Sequence, residues 1–330
     1  MKEERSSKGR RLQYVALILL VVFLLSAVLL FVNIWERVRG DDDVLGTSDT
    51  TLVYNDEEYV LKDGIETVLI LGLDKFEGEK DDTAYYNDKQ SDFMMLLVID
   101  NYNRKCTGIH INRDTMVEMD ILGIAGESVG KVTQQAALAH TYGNGKEVSC
   151  RNAADAVSRL LLGVKIDHYI SITMDAVPRF NDMVGGVEVE VLDDFTGIDD
   201  TLIKGETVTL MGEHALNYVR TRYGLEDSSN ETRMIRQRQY IRALYEKTLE
   251  LSQSDDEFIV DATVKMSDYL VSNYTVARLQ ELFQKVSEYR FTEIRYLEGE
   301  NVVGTQFMEF TPDEESVKKV VVDLFYSLKD

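Results

Sequence analysis

Proline, cysteine and histidine are scarce in this sequence, and each scarcity narrows the class of protein. The 330 residues include only 2 prolines, 2 cysteines and 4 histidines. Two prolines exclude a proline-rich linker or recognition segment. The histidines show no metal-ligand spacing, so we interpret all four as structural: His110, His140, His168 and His214.

The two cysteines, Cys106 and Cys150, leave two interpretations open. An even number of cysteines outside the cytoplasm permits a disulfide. Two separately buried thiols are equally compatible with a packed core, and we favour them because spacing in sequence gives no distance in space.

Basic residues are in the minority. The sequence has 36 Lys and Arg against 58 Asp and Glu, a formal net charge of −22. Residues 1–14 hold five basic and two acidic groups, a net of +3, so the remainder carries −22 − 3 = −25. This charge argues against nucleic acid as a partner. It still permits a local phosphate site, because distant charges are screened beyond about 8 Å at physiological salt.

Only one long apolar run occurs, Val15–Val32. As a helix it would span roughly 27 Å, close to the ~30 Å hydrocarbon core of a bilayer. A cleaved signal peptide usually has an apolar region of only ~7–15 residues and a small-residue cleavage site, which "NIWERVRG" lacks. With a basic flank before the run, we predict a cytoplasmic tail at 1–14, a single transmembrane anchor at 15–35 and an extracytoplasmic body.

The rest of the chain reads as a spacer and one α/β domain. We predict the spacer at 36–60 and the domain at 61–330, with a short hairpin starting at residue 51. Short apolar runs, "ETVLILGLD" and "DFMMLLVID", predict buried strands that alternate with helical segments further on. The spacing of Val132, Ala136 and Ala139 predicts a helix there.

Arginine is concentrated in residues 217–244, which contain six arginines and no lysine. The guanidinium group offers planar, bidentate donors that match a phosphate. On an ideal helix Arg220 and Arg222 lie about 200° apart, so they would serve one ligand only at a helix end or on extended chain. Alternatively, Glu226 and Asp227 could pair with them structurally.

The second half of this segment predicts a helix. Ser228 and Glu231 have the spacing of a capping box. At about 100° per residue, Arg233, Arg236 and Gln237 share one face. Two arginines point further round the helix: Arg238 and Arg242.

Two acidic residues lie at strand ends, Asp74 and Asp92. If their strands are neighbours, both carboxylates can face one site and hold Mg²⁺ with phosphate oxygens and water. Alternatively, each only caps a strand or pairs with a lysine. Arg113 and Asp114 follow another strand, where they could line a ligand crevice or form an ordinary surface ion pair.

The order of these motifs, "LILGLDK", "QSDFMMLLVID", "IHINRDTMV", "NYVRTR" and "TRMIRQRQYI", resembles the LytR-CpsA-Psr family along most of residues 66–250. The resemblance implies an α-β-α sandwich with a mixed central sheet, preceded by one transmembrane helix. It also implies an Mg²⁺-dependent phosphotransferase. Such enzymes move a glycopolymer from a polyprenyl pyrophosphate carrier onto peptidoglycan, or sometimes onto protein.

The resemblance also assigns roles to individual residues. Asp74 and Asp92 match the acids that hold the metal. The pyrophosphate-binding set is Arg113, Arg220, Arg222, Arg233, Arg236 and Gln237. Catalysis is implied for four of the residues: Asp92, Arg113, Arg220 and Arg222.

Four positions depart from the family pattern or match it loosely. Gln90 stands where arginine is usual, which predicts a weakened or lost pyrophosphate contact. Asn112 replaces a proline, and Asn230 stands where aspartate often precedes the helix. Lys131 is a loose match to a site lysine.

We therefore expect a single-pass cell-membrane enzyme with a lipid-linked glycan donor and a peptidoglycan acceptor, and with a possible pyrophosphatase side activity. One alternative is a non-catalytic protein that binds polyprenyl phosphate. Another is a membrane-bound transcriptional attenuator, although about 14 cytoplasmic residues are too few for a DNA-binding domain.

Overall fold

The computed structural model describes residues 51–73, 90–255, 257–304 and 307–329. The predicted cytoplasmic tail, the predicted anchor and Asp74 lie outside these residues. Within the described ranges, no helix combines the length and apolar character needed to cross a membrane.

The described part of the chain begins with seven strands and continues with helices and strands interspersed. The strands are β1 (Thr51–Tyr54), β2 (Glu57–Leu61), β3 (Ile65–Leu73), β4 (Ser91–Asp100), β5 (Lys105–His110), β6 (Met116–Leu122), β7 (Ser128–Gln135), β8 (His168–Thr173), β9 (Val187–Glu190), β10 (Thr207–Leu210), β11 (Leu270–Ser272), β12 (Arg290–Tyr296), β13 (Gly299–Val303), β14 (Met308–Pro312) and β15 (Tyr326–Leu328). The α-helices are α1 (Glu147–Leu160), α2 (Ala176–Met183), α3 (Glu213–Arg220), α4 (Asn230–Ser254), α5 (Phe258–Met266), α6 (Val276–Glu288) and α7 (Glu314–Phe325). Short 3₁₀ helices span Ala136–Thr141 and Ser267–Tyr269.

Six strands form a mixed sheet in the order β11-β8-β3-β4-β5-β12. β8 runs parallel to β3 and β12 runs parallel to β5, whereas the other neighbours are antiparallel. The two apolar runs predicted as buried strands are the central neighbours β3 and β4. The prediction of an α/β fold with a mixed central sheet is therefore confirmed.

A register shift between β3 and β4 isolates Asp92 from the ladder. Gly72 pairs with Phe93, and Leu73 pairs with Ser91, so Asp92 is the extra residue of a β-bulge. A Cβ on Gly72 would lie 2.9 Å from the Cβ of Phe93, so glycine permits this close pairing. Because a bulge redirects a side chain, this one can turn the Asp92 carboxylate out of the regular alternation.

Apolar side chains cover both faces of the sheet. Leu69 and Leu71 belong to a cluster with buried residues of α1 and α7. On the other face, Val68 packs with Leu279 and Leu282 of α6. Each fully buried side chain of this size contributes roughly 1.5–3 kcal/mol, so the two clusters together hold the sheet between helices.

A third apolar cluster joins β9 and β10 to the helices α2, α3 and α4. Phe195 and Tyr218 stack in it with ring centroids 5.8 Å apart, and Tyr240 of α4 is buried in the same cluster. This packing fixes the two helices that carry the arginines of the 217–244 segment.

The predicted helix around Val132, Ala136 and Ala139 is wrong in its first half. Val132 lies in β7 and pairs with Met119 of β6. The chain becomes helical only in the 3₁₀ helix Ala136–Thr141, where a spacing of three residues suits three residues per turn. β7 pairs with β6, a separate segment of the chain. The spacing of apolar residues within residues 132–139 carries no information about that pairing.

The hairpin predicted from residue 51 is formed by β1 and β2. Its second strand also pairs with β15 near the end of the chain. The predicted end of the spacer at residue 60 therefore falls inside β2, within the folded body.

Both cysteines are free thiols, and both are fully buried, as favoured above. Cys106 packs on the α6 side of the sheet and Cys150 on the α1 side. Burial raises the pKa of each thiol to about 12, because the thiolate is disfavoured away from water.

We expect neither thiol to react with a chromogenic disulfide reagent in the native protein at neutral pH, because the reactive species is the thiolate. In denaturant, both of the 2 cysteines should react. Absorbance titration before and after unfolding measures this. A fast native-state reaction, or a missing thiol after unfolding without reductant, would contradict the assignment.

Candidate anion-binding site

Asp92 and Arg113 meet where β4 begins and β5 has just ended. Nη1 of Arg113 is ion-paired with Oδ1 of Asp92, and Nη2 donates to Oε1 of Gln90 at 2.5 Å. Nη1 of Arg233 lies 4.0 Å from the same Asp92 oxygen. One carboxylate thus faces two guanidinium groups from distant parts of the sequence.

Arg233 is buried, with 4% of its surface exposed, and its hydrogen bonds end on an amide. Nε and Nη2 donate to Oδ1 of Asn230 at 3.1 and 2.6 Å. In turn, Nδ2 of Asn230 donates to Oδ1 of Asn112 at 2.7 Å, and that oxygen also accepts from the Asp114 amide at 3.0 Å. These bonds connect the start of α4 to the segment that carries Arg113.

Arg220 and Arg222 flank the point where α3 ends. Arg220 is the last residue of α3, and Thr221 after it is extended, with φ −60° and ψ 134°. Arg220 is exposed and Arg222 is half-buried, with Nη2 of Arg222 donating to the Tyr223 hydroxyl. The arginine pair therefore spans a helix end and extended chain, where both side chains can serve one ligand.

The helix after this pair begins one residue later than the predicted capping box. Ser229 is the N-cap, and its hydroxyl accepts from the Thr232 amide at 3.3 Å. Ser228 Oγ instead donates to the Leu225 carbonyl at 3.4 Å, so the assignment of Ser228 and Glu231 to a capping box is wrong. Asn230 is thereby the first helical residue, held in place by its side-chain bonds.

The predicted shared face of α4 is its buried face. Arg236 is 1% exposed and Gln237 is 3% exposed. Nε of Arg236 donates to the Tyr218 carbonyl at 2.9 Å, Nη2 donates to the Thr221 carbonyl, and Nη1 is ion-paired with Asp193. Gln237 Nε2 donates to the Val219 carbonyl at 3.1 Å. These two side chains are bonded to the backbone that leads to Arg222.

The other basic residues singled out in the sequence are Arg238, Arg242 and Lys131, and each makes a contact of its own. The Arg238 guanidinium lies over the Tyr296 ring, 4.8 Å from its centroid. Exposed Arg242 lies 3.6 Å from Glu246, and Lys131 pairs with Glu118 on the β6–β7 hairpin.

The arginines that converge near Asp92 repel one another. Burial, followed by the charges of Arg113 and Arg222, lowers the pKa of Arg233 from its usual value. Burial raises the pKa of Asp114, even though three arginines act in the opposite direction. A bound anion would relieve this repulsion, because it would add negative charge beside desolvated cations.

Four residues whose side chains bond to groups of this site were not identified as site residues from the sequence. They are Asn112, Gln135, Asp193 and Asn230. Gln135 donates to Asp114 at 2.9 Å, and Asp193 is the ion-pair partner of Arg236. The unusual residues at 112 and 230 were a usable signal, because both depart from the family pattern and they bond to each other.

The residues present fit a small hard cation in part. Mg²⁺ in phosphate sites usually takes one or two carboxylates, with phosphate oxygens and water completing the set. Asp92 supplies one such carboxylate, and Asp74, predicted as the second, is outside the described residues. In the described ranges no three acidic, histidine or cysteine side chains converge to hold a metal alone.

Fold and site together define a mixed α/β protein with arginine and aspartate side chains gathered at one end of its six-stranded sheet. The model of the LytR_cpsA_psr family matches residues 39–324. The match spans most of the chain, so the protein belongs to that family, and the resemblance noted from its motifs is confirmed.

Relatives and solved structures agree with this assignment. Polyisoprenyl-teichoic acid–peptidoglycan teichoic acid transferase TagU of Enterococcus faecalis is 29% identical over 233 residues, which is 70% of this chain and 62% of the relative. The chain thus spans less than two thirds of that relative's length. TagU of Bacillus licheniformis is 24% identical over 335 residues, 99% of each chain. The crystal structure of Bacillus subtilis TagV superposes with a TM-score of 0.60 at 23% identity, over 80% of this chain and 97% of TagV, and shows the shared fold.

The Asn112–Asn230 bond predicts an energetic coupling between the two departures from the family pattern. Asn112→Pro alone should destabilise the protein by about 1–3 kcal/mol, because it leaves the buried Asn230 amide without an acceptor. Adding Asn230→Asp removes that donor and should recover part of the loss. Urea unfolding of the two single variants and the double variant gives the coupling free energy, expected at about 1 kcal/mol. Strict additivity would contradict it.

Proposed function

We propose that this protein is a membrane-anchored phosphotransferase that moves a glycopolymer from a polyprenyl pyrophosphate carrier to peptidoglycan. Membership of the LytR_cpsA_psr family and the names of the relatives support this activity. We further propose that the fold is an α-β-α sandwich behind an anchor at residues 15–35. The lipid-linked donor would then be presented at the membrane surface, outside the cytoplasm.

The observation that carries the proposal is the gathering of charge where β4 begins: Arg113 and Arg233 face Asp92, and Arg222 lies close enough to lower the pKa of Arg233. Fixed guanidinium groups bind phosphate oxygens through paired, charge-assisted hydrogen bonds. Here they come from three separate parts of the chain, and burial holds them in place before any ligand arrives. Such preorganised charge stabilises the negative charge that develops during phosphoryl transfer.

In the proposed reaction the acceptor hydroxyl attacks the sugar-linked phosphorus in line. A bond forms between the acceptor oxygen and that phosphorus, while the bond from the phosphorus to the bridging oxygen breaks. Polyprenyl phosphate leaves with the electron pair of that bond. Arg113, Arg220 and Arg222 would orient the diphosphate and stabilise charge on the transferring group, with Arg233 behind them.

Asp92 and Asp74 are the candidates for metal ligand and for acceptor of the hydroxyl proton. A bound Mg²⁺ would supply neutralisation of charge on the phosphate oxygens. Asp92 faces the guanidinium groups of Arg113 and Arg233. We propose Asp92 and Asp74 as the metal ligands, with either carboxylate as the candidate base.

We expect Arg220→Ala in the full-length detergent-solubilised protein to weaken binding of a short-chain prenyl pyrophosphate by about tenfold or more. The reason is that a charged hydrogen bond contributes about 1.5–3 kcal/mol. Arg242→Ala is the matched control, since Arg242 is also an exposed arginine of the 217–244 segment and lies 3.6 Å from Glu246 on its own helix. Calorimetric titration with Mg²⁺ present measures both.

The same protein should release phosphate or transfer the glycan when Mg²⁺ is supplied, with a competent family member run in parallel. If the relative turns over and this protein neither binds nor reacts, the proposed function is wrong. Equal losses in Arg220→Ala and Arg242→Ala would place the anion elsewhere.

A second candidate is a protein that binds the lipid pyrophosphate without turnover, and Gln90 favours it. Gln90 accepts a hydrogen bond from Arg113, where the family usually has another cation. The site therefore has one positive charge fewer for the transition state than the family pattern.

If that missing charge limits turnover, Gln90→Arg should raise phosphate release, while affinity for the prenyl pyrophosphate rises about tenfold or less. Gln90→Met is the control, because it removes the bond to Arg113 without adding charge. Initial rates measure phosphate release by both variants, and titrations measure their affinity for the prenyl pyrophosphate. Unchanged rates in Gln90→Arg would leave the residue without a role in turnover.

A further inference from the structure

We infer that Arg236, together with Asp193, is a positioning residue that fixes the Arg220–Arg222 segment and does not itself contact the diphosphate. This inference rests on the proposed function of the same site. It differs from the role that the family motif implies, because the motif groups Arg236 with the ligand-binding arginines. The geometry separates it from them.

All three guanidinium nitrogens of Arg236 are engaged by protein groups. Nε donates to the Tyr218 carbonyl at 2.9 Å, Nη2 donates to the Thr221 carbonyl, and Nη1 is ion-paired with the Asp193 carboxylate. The Phe195 ring covers the group, with its centroid 5.5 Å from Cζ. With only 1% of the residue exposed, little of this side chain remains for a ligand.

The carbonyls that Arg236 binds are those that a helix end leaves without partners. The last carbonyl groups of an α-helix have no amide to accept from within that helix. In α3 the Asn217 carbonyl accepts from the Thr221 amide, but Tyr218 and Val219 need outside donors. Arg236 donates to the Tyr218 carbonyl, and Gln237 donates to the Val219 carbonyl at 3.1 Å. A cation is also favoured at this end of a helix dipole.

Arg236 also bonds to the Thr221 carbonyl, which lies beyond the helix end and between Arg220 and Arg222. The bonds to residues 218 and 221 therefore bracket Arg220, and they set the point where helix changes to extended chain. That change of backbone direction is what allows two arginines separated by one residue to serve one ligand.

Asp193 distinguishes positioning from direct binding. It is a carboxylate whose side chain is 13% exposed, and it lies in the connection between β9 and β10. A carboxylate cannot attract a diphosphate. If Arg236 were a ligand, neutralising Asp193 would release that arginine and strengthen anion binding. If Arg236 positions the backbone, neutralising Asp193 loosens the Arg220–Arg222 segment and weakens anion binding.

The test uses the full-length protein in detergent, with Asp193→Asn, Arg236→Lys and Arg236→Met as variants. The first measurement is backbone hydrogen exchange over residues 217–224 without ligand. We expect Asp193→Asn and Arg236→Met to exchange at least about tenfold faster there, while the six-stranded sheet is unchanged. Leu282→Ala, in the apolar cluster on the α6 side of the sheet, is the control for general destabilisation. Exchange no faster than in the wild type would overturn the inference, whatever the function of the protein.

The second measurement is the affinity for inorganic pyrophosphate with Mg²⁺. We expect Asp193→Asn to bind about tenfold more weakly, and Asp193→Asn combined with Arg236→Met to lose no more than Arg236→Met alone. Leu282→Ala should bind like the wild type. Equal or tighter binding by Asp193→Asn would overturn the positioning role. If the wild type fails to bind pyrophosphate, the proposed function fails, and hydrogen exchange still decides the inference.

Discussion

A buried cation among other cations is the constraint on which this site depends. Arg233 is nearly inaccessible to water, yet Arg113 and Arg222 are close enough to disfavour its charge. Its hydrogen bonds end on a neutral amide, Asp92 is 4.0 Å away, and Asp114 acts to keep its charge. A multivalent anion of the kind proposed above would add negative charge beside these cations.

The arginines of residues 217–244 lie in two different kinds of environment. Arg236 is paired, bonded to two carbonyls and covered by a ring, so its charge is used entirely inside the fold. Arg220 and Arg222 sit on a helix end and an extended residue, where they remain accessible. In the arrangement we propose, the fully partnered charge of Arg236 holds the backbone still, and that backbone would present Arg220 and Arg222 to a ligand.

The acidity of the whole protein does not oppose this arrangement. A net charge of −22 is spread over the chain, whereas Arg113 is ion-paired with Asp92 and Nη1 of Arg233 lies 4.0 Å from the same carboxylate oxygen. Beyond about 8 Å salt screens surface carboxylates, but it screens buried pairs much less. The local sign of the site is therefore positive, and the acidic surface would act on approach and on nonspecific partners.

Much of the central sheet and part of the site could be predicted from the sequence. The apolar runs of β3 and β4 are short, and the arginine-bearing face of α4 follows from about 100° per residue. The order of the motifs identified the family. Local patterns failed where pairing with a distant segment decided the outcome, as in β7, which bonds to β6 and not to its own next turn.

The sequence by itself therefore determined the central strands β3 and β4, the acidic composition, the helix face that carries Arg233 and Arg236, and the family. Only the tertiary structure decided that Asn112 and Asn230 bond to each other, that the bulge isolates Asp92, and that Arg236 binds the backbone near Arg222 while Arg233 faces Asp92. Both arginines lie on the same face of one helix, so periodicity cannot separate them. Their roles differ because one meets the carbonyl end of α3 and the other meets the end of the sheet, and which neighbour each meets depends on packing between segments far apart in the chain.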